Sequence, residues 1–299
     1  MFPFRIVAIH TLRHGSAFDE GGLPADPAAQ AWGPRVESVE AFLDRARPEI
    51  AVELTTLNPA TGEPAISHIR AAFARRLHVV TANKGPIAHA YAALAEEAKR
   101  AGVEFRFEST VMDGAPVFNM IRNNLPGCRI LGFTGVLNST TNVAIETMRA
   151  GRTLQEGIEE AQRIGIAEAD ASYDIEGWDA AAKTAALANV LMDARVTPLD
   201  VDRRGIGRLT FEKLLTLRKQ AKTVRLVSRA RSTPRGIKLR VRAEVMAESD
   251  ILAAAHGTSS LLLFDTDLMG TVGTVEINPG VEQTAYGVFS DVVDIAKTL

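Results

Sequence analysis

The period of apolar positions changes along this 299-residue chain. Short β-branched runs at Arg5–His10 (RIVAIH), Ile50–Leu54 (IAVEL) and His78–Ala82 (HVVTA) predict strands, while Val36–Arg45 and Gly62–Arg76 between them carry helical periodicity. That alternation predicts parallel βαβ units. Each predicted strand runs into a polar or glycine-bearing turn, HTLRHG, TTLNPATG and NKGP, at the carboxyl edge where open parallel sheets hold ligands. Ala88–Ala101 then reads as a helix and Val103–Glu108 as a further strand.

From about Gly114 the pattern shifts. A helix near Pro116–Asn123 leads to a strand at Arg129–Leu137, which ends in the polar cluster Asn138–Asn142. Helices follow over roughly 142–150 and 153–165, and another from Trp178. Lys238–Val245, Leu261–Asp265 and Thr271–Ile277 alternate as strands of a half-exposed sheet do, and Gln283–Lys297 reads as an amphipathic helix. This second half is α+β in character.

Composition narrows the function classes. With 46% hydrophobic residues and a formal net charge of -2, the chain can bury the cores of two globular domains, and it offers no basic excess for nucleic acid or a membrane surface. A small-molecule ligand is the expectation. Cys128 is the single cysteine, which leaves no intrachain disulfide and no cysteine-based zinc site and suits a reducing, cytoplasmic setting. No apolar run approaches membrane-spanning length, and the first residues show no cleavage signal, so the chain is expected to be soluble and unprocessed.

The densest chemistry lies in GIAEADASYDIEGWDAAAK, Gly165–Lys183. It gathers Glu168, Asp170, Asp174, Glu176, Asp179 and Lys183 around a loop that enters an alanine-rich helix. Asp179 and Lys183 stand four residues apart, on one helix face. An ordinary helix ion pair explains that pair but leaves the preceding acids and the Gly177–Trp178 turn without a reason.

HVVTANKGPIA, ESTVMDGAPVF, GVLNSTTN and GIAEADASYDIEGWDAAAK, in that order, resemble the homoserine dehydrogenase family, from roughly Arg5 to the C-terminus. The resemblance implies NAD(P)-dependent interconversion of L-aspartate 4-semialdehyde and L-homoserine, in the branch leading to threonine, methionine and isoleucine. It implies an α/β fold, in which a Rossmann-like parallel sheet (first βα unit missing) is followed by an α+β substrate and dimerisation domain. The nucleotide-binding part would span 1–115 and be rejoined by the C-terminal helix at 280–299, with the substrate part at 116–279 and the whole forming a homodimer. By the same resemblance Lys183 is the general acid and base at the substrate oxygen, and Lys84 is a second catalytic lysine near the nicotinamide. Two lysines suit the chemistry, since an alkoxide must be protonated and a desolvated lysine beside another cation is expected to have a lowered pKa. Glu168 and Asp179 match acids that hold the substrate amino group or an ordered water, and Asp174 matches a third acid of the same pocket, joined by Asn138 and Thr140. Thr55, Thr56 and Gly280 match residues beside the cofactor. The backbone carbonyls of Glu108, Val111, Asp113 and Ala115 match a loop that holds a monovalent cation, usually sodium.

This sequence departs from the family pattern in three places. Ser139 stands where the family has glycine, raising the prospect of a side chain intruding on the pocket, and Met112–Asp113 replaces a more glycine-rich stretch. No strand-GxGxxG-helix opens the chain, although that turn is what cradles a dinucleotide pyrophosphate. RIVAIH resembles the second strand of such a domain, and Arg13 after it either leans toward NADP over NAD or is a solvated loop arginine. Either the working protein carries more residues upstream, which the intact lysines and acids favour, or the chain is a non-catalytic relative that acts as a dimerising or binding protein. Weak NADP binding by residues 1–299 is expected from the absent turn.

Overall fold

The computed structural model describes residues 4–299. Its first part opens on an antiparallel hairpin, β1 (Ala8–Thr11) with β2 (Gly15–Phe18). There follow α1 (Val39–Ala46), β3 (Ile50–Glu53), α2 (Ala65–Ala74), β4 (His78–Thr81), α3 (Lys84–Ala101) and β5 (Phe105–Arg106). β3, β4 and β5 form a three-stranded parallel sheet, with Ile50 opposite His78 and Glu53 opposite Thr81. The βαβ expectation holds for these strands. The strand predicted at Arg5–His10 is different: it forms over Ala8–Thr11 and bonds only to β2, outside the parallel sheet, because no strand lies between it and β3 to carry the ladder. The strand predicted at Val103–Glu108 shortens to two residues, since Glu108–Thr110 coil into a 3-10 turn.

The second part comprises α4 (Phe118–Asn124), β6 (Ile130–Val136), α5 (Ser139–Arg149), α6 (Leu154–Arg163), α7 (Ser172–Ile175), α8 (Trp178–Met192), β7 (Asp202–Arg203) and α9 (Phe211–Lys219). It continues through β8 (Lys222–Thr233), β9 (Gly236–Ala247), β10 (Ser260–Thr266) and β11 (Thr271–Glu276) to the closing helix α10 (Val281–Ala296). Six strands order as β11-β10-β6-β8-β9-β7, antiparallel except for the short β7–β9 pair. Its longest pair, β8 with β9, runs from Lys222 opposite Ala247 to Thr233 opposite Gly236. β8 and α9 have no counterpart among the predicted elements.

One apolar cluster joins the two parts. It includes Ile69 of α2, Ile87 and Leu94 of α3, Leu187 of α8 and Leu262 and Phe264 of β10. Small side chains on α8, Ala181, Ala185 and Ala188 among them, are fully enclosed and let α3 pack closely across it. Asn189 of α8 fastens this crossing: its amide nitrogen donates to the carbonyls of Ile87, Ala88 and Val196, and its oxygen accepts from Val196 N. α10 returns to the parallel sheet, where Asp291 accepts from Glu108 N at 2.7 Å and Asp294 meets Arg106. Among the described residues no helix is long and apolar enough to cross a membrane.

Candidate active site

Three local features bring the site together. Asn83 caps α3 by accepting from Gly85 N, so Lys84 becomes the first helical residue, at the carboxyl end of β4. Gly177 takes a left-handed φ of 84° and turns the chain from α7 directly into α8, placing Asp179 in its first turn. Asn138 caps α5 at the end of β6, its Oδ1 accepting from Thr141 N. Trp178 beside the Gly177 turn is covered by the Arg203 guanidinium, 3.6 Å above its ring.

These elements converge on Asp179. Its Oδ1 lies 3.0 Å from Lys84 Nζ, while Oδ2 lies 3.3 Å from Lys183 Nζ and accepts from Asn138 Nδ2 at 2.9 Å. Lys183 also donates to the Leu137 carbonyl at 2.6 Å. Asn138 Nδ2 reaches Asp174 as well, at 2.7 Å, and Thr140 is bonded to the Ile166 carbonyl beside it. Both lysine side chains keep about a fifth of their surface open, and Asp179 less. The carboxylate is thus held between two ammonium groups carried by different helices.

The charges follow from this arrangement. Burial pushes the Asp179 carboxyl up, but Lys183, Lys84 and the Asn138 amide together hold it well below the usual range. Asp174 goes the other way: burial and the neighbouring Asp179 charge raise it, more than Asn138, Lys183 and Thr140 lower it. For Lys84 the expected lowering is overturned. Burial does act to lower its ammonium, yet Asp179, with Asp174 and Glu168 behind it, outweighs burial and raises it.

The other predicted residues fall around this centre. Glu168 is exposed in the loop before α7, near enough to act on Lys84. Thr55 and Thr56 are exposed just past β3, and Thr55 is fixed by Glu53 and by Asn83, whose amide donates to its carbonyl at 3.1 Å. Gly280 is exposed at the start of α10, and Arg13 lies exposed in the β1–β2 turn. Ser139 does not intrude: its hydroxyl turns away to donate to the Thr258 carbonyl at 3.1 Å.

The loop over Glu108, Val111, Asp113 and Ala115 is enclosed and sharply turned. Asp113 sits at φ 41°, and Gly114 packs so tightly on α10 that a Cβ there would lie 2.1 Å from the Gln283 carbonyl. The Glu108 side chain has work of its own, capping α4 through the amides of Val117, Phe118 and Asn119. Among the described residues no group of three or more His, Cys, Asp and Glu side chains is placed to hold a metal ion.

Two acids escaped the sequence reading. Glu53 ends β3 as a buried acceptor for Thr55 and for the Thr81 hydroxyl, and Glu276 ends β11 beside Gly114. Both close a strand at a sheet edge, and that placement is the signal that could have found them. Burial and Asp113 push the Glu276 carboxyl up to about 7, against the smaller pulls of Gly114 N and Lys183.

Comparisons with known proteins place this geometry among relatives. The family model described as homoserine dehydrogenase matches residues 116–293. Homoserine dehydrogenase of Methanocaldococcus jannaschii is 35% identical over an alignment covering 98% of this chain and 89% of that protein. The NAD(+)-dependent homoserine dehydrogenase of Pseudomonas canavaninivorans is 34% identical, with 99% and 88% covered. The crystal structure of a homoserine dehydrogenase from Thiobacillus denitrificans superposes with a TM-score of 0.80 at 31% identity, covering 88% of this chain and 61% of that longer one.

Proposed function

This chain belongs to the homoserine dehydrogenase family, and from that premise we propose that it interconverts L-aspartate 4-semialdehyde and L-homoserine with a nicotinamide cofactor. The observation that carries the reading is the single carboxylate, Asp179, bridging Lys84 and Lys183. A carbonyl that receives a hydride becomes an alkoxide, and a proton donor must stand at its oxygen. Lys183 is that donor. Leu137 O and Asp179 engage two of its hydrogens, which leaves the third for a substrate oxygen, and in the reverse direction Lys183 takes the alcohol proton. Asp179 keeps Lys84 charged, and that ammonium is a second positive centre that draws the substrate carboxylate toward the site.

The reacting end of a nicotinamide fits these residues. Thr55, held by Glu53, and the capped start of α3 at Lys84 border the same carboxyl edge of the parallel sheet, and Gly280 is exposed at the start of α10. When bound, the cofactor supplies or accepts the hydride. NAD and NADP are both candidates, with Arg13 favouring the phosphorylated form. A sodium ion on the carbonyls of Glu108, Val111, Asp113 and Ala115 is supported by that loop's enclosed, fixed turn. A homodimer in the cytoplasm completes the reading, supported by the exposed apolar Leu268, Met269 and Val275 around the β10–β11 hairpin.

The test is nicotinamide turnover. Aspartate semialdehyde should oxidise NADPH or NADH, followed at the reduced-nicotinamide absorbance, and Lys183→Met should lower kcat by about 10²- to 10⁴-fold. At cofactor concentrations high enough to offset the expected weak binding, no oxidation of either cofactor by the wild type, or full activity in Lys183→Met, would overturn the assignment.

A further inference from the structure

The carboxyl edge of the parallel sheet holds a closed ring of hydrogen bonds that runs up to Lys84. Glu53 and Thr81 end β3 and β4 opposite each other, so their side chains fall on one face of the sheet, the face of Val79 in the apolar cluster. Glu53 Oε2 accepts from the Thr81 hydroxyl at 2.7 Å, while Oε1 accepts from Thr55 N at 2.7 Å and from the Thr55 hydroxyl. Asn83 closes the ring: its N donates to Thr81 Oγ1 at 2.9 Å, and its Nδ2 donates to the Thr55 carbonyl at 3.1 Å. Glu53, Thr81 and Asn83 are all buried. A carboxylate met only by neutral donors is costly to bury, which points to a use beyond stability.

A carboxylate can only accept, and that fixes the direction of every bond after it. Thr81, having given its hydrogen to Glu53, is left to accept from Asn83 N. The Asn83 amide then keeps its nitrogen on Thr55 O and its oxygen on Gly85 N, 3.0 Å away, which is the bond that caps α3. Lys84 is the residue between that cap and Gly85. The ring therefore sets where the Lys84 backbone starts, and Asp179 sets where its ammonium ends, 3.0 Å from Oδ1. A second clamp lies beside it, where a Cβ on Gly85 would stand 2.9 Å from Gly62 Cα. Glutamine at position 53 would break the order, because its amide nitrogen would donate toward Thr81 and leave the Thr81 hydroxyl hydrogen without its acceptor.

We propose that Glu53 is a positioning residue for the dehydrogenase reaction, acting through Thr81 and Asn83 to hold Lys84 where its ammonium meets Asp179 and draws the substrate carboxylate. The proposal rests on the homoserine dehydrogenase reading and adds the group that seats its second lysine. The same carboxylate holds Thr55 on the cofactor side, so both functional edges of the sheet are set from one point. A misplacement of about 1 Å in a site costs about 100-fold in rate. A loosened start of α3 should show in turnover before it shows in folding.

Steady-state turnover of aspartate semialdehyde at high concentrations of reduced nicotinamide cofactor, alongside scanning fluorimetry, tests this as a double-mutant cycle with Lys84→Met. Glu53→Gln should lower kcat/KM by about 10- to 100-fold when Lys84 is present. In the Lys84→Met background the further loss should be no more than about 2-fold, because the group that Glu53 places is gone. Thr81→Val keeps the side chain's size and breaks the same arm, so it should give the same non-additive pattern, and whichever of the two variants folds decides. Thr81→Ser, which restores the hydroxyl, should stay near wild type. Equal losses in both backgrounds, as a merely structural role gives, full activity in Glu53→Gln or Thr81→Val, or a Thr81→Ser loss equal to that of Thr81→Val overturns the proposal with wild-type turnover intact. No turnover by the wild type overturns it together with the functional reading.

Discussion

Asp179 and Asp174 lie within reach of one Asn138 amide, yet their environments separate them. The Asp179 carboxyl is depressed, so its contribution to stability is present above the ordinary carboxylate range and is lost as pH falls through its folded value. Asp174 is raised, so its contribution is full at acid pH and is lost as pH rises through its elevated folded value. Asp179→Asn should therefore lower the thermal midpoint at neutral pH, by leaving two enclosed ammonium groups facing each other. Asp174→Asn, which removes an unfavourable charge, should hold the midpoint or raise it by about 2 °C at pH 8. Scanning fluorimetry of both variants at pH 5 and pH 8 checks the signs, and a fall for Asp174→Asn at pH 8 that matches Asp179→Asn would contradict them. At this scale the members of the centre were named from the sequence, Lys84 by resemblance alone, but not how they meet. Asp179 with Lys183 was legible because helix spacing alone pairs them, whereas Lys84 meets Asp179 only through the packing of two helices distant in sequence.

The elements explain why that packing is reproducible. Asn189 sits deep in the α3–α8 crossing and ties the Val196 backbone to the first turns of α3, so Asn189→Ala would strand the Val196 amide and carbonyl. A loss of about 2 to 3 kcal/mol in unfolding free energy is expected, measured by urea denaturation. Its activity should fall further than that of a surface variant of equal stability, since the crossing also sets Lys84 against Asp179. Most elements of the first part were readable from period alone, because its helices and short strands each bury one face. β8 was hidden for a physical reason. It is buried on both faces near its start, and one of the enclosed side chains is Arg225, neutralised by Glu146 at 3.1 Å, so no clean alternation of apolar and polar residues marks it. The start of α3 was placed four residues late for a similar reason, since NKGP reads as a turn until Asn83 is seen as a cap and Pro86 as a first-turn residue.

At the scale of the whole molecule, the parallel sheet and the six-stranded sheet are separate ladders joined by one apolar cluster and by α10. The fold class was legible because alternating strands and helices followed by an α+β half is a coarse pattern that survives errors at element ends. The hairpin β1–β2 was not, because the register of a strand depends on which neighbour is present to pair with it. The α3–α8 crossing has a mechanical meaning beyond its chemistry. Lys84 follows its cap residue by one position and the end of β4 by three, so there is almost no slack between the parallel sheet and the bridged carboxylate. A small rocking of one half against the other would be transmitted undamped to the ammonium–carboxylate spacing, which makes catalytic rate a finer gauge of how the halves are seated than any measure of whether they are folded.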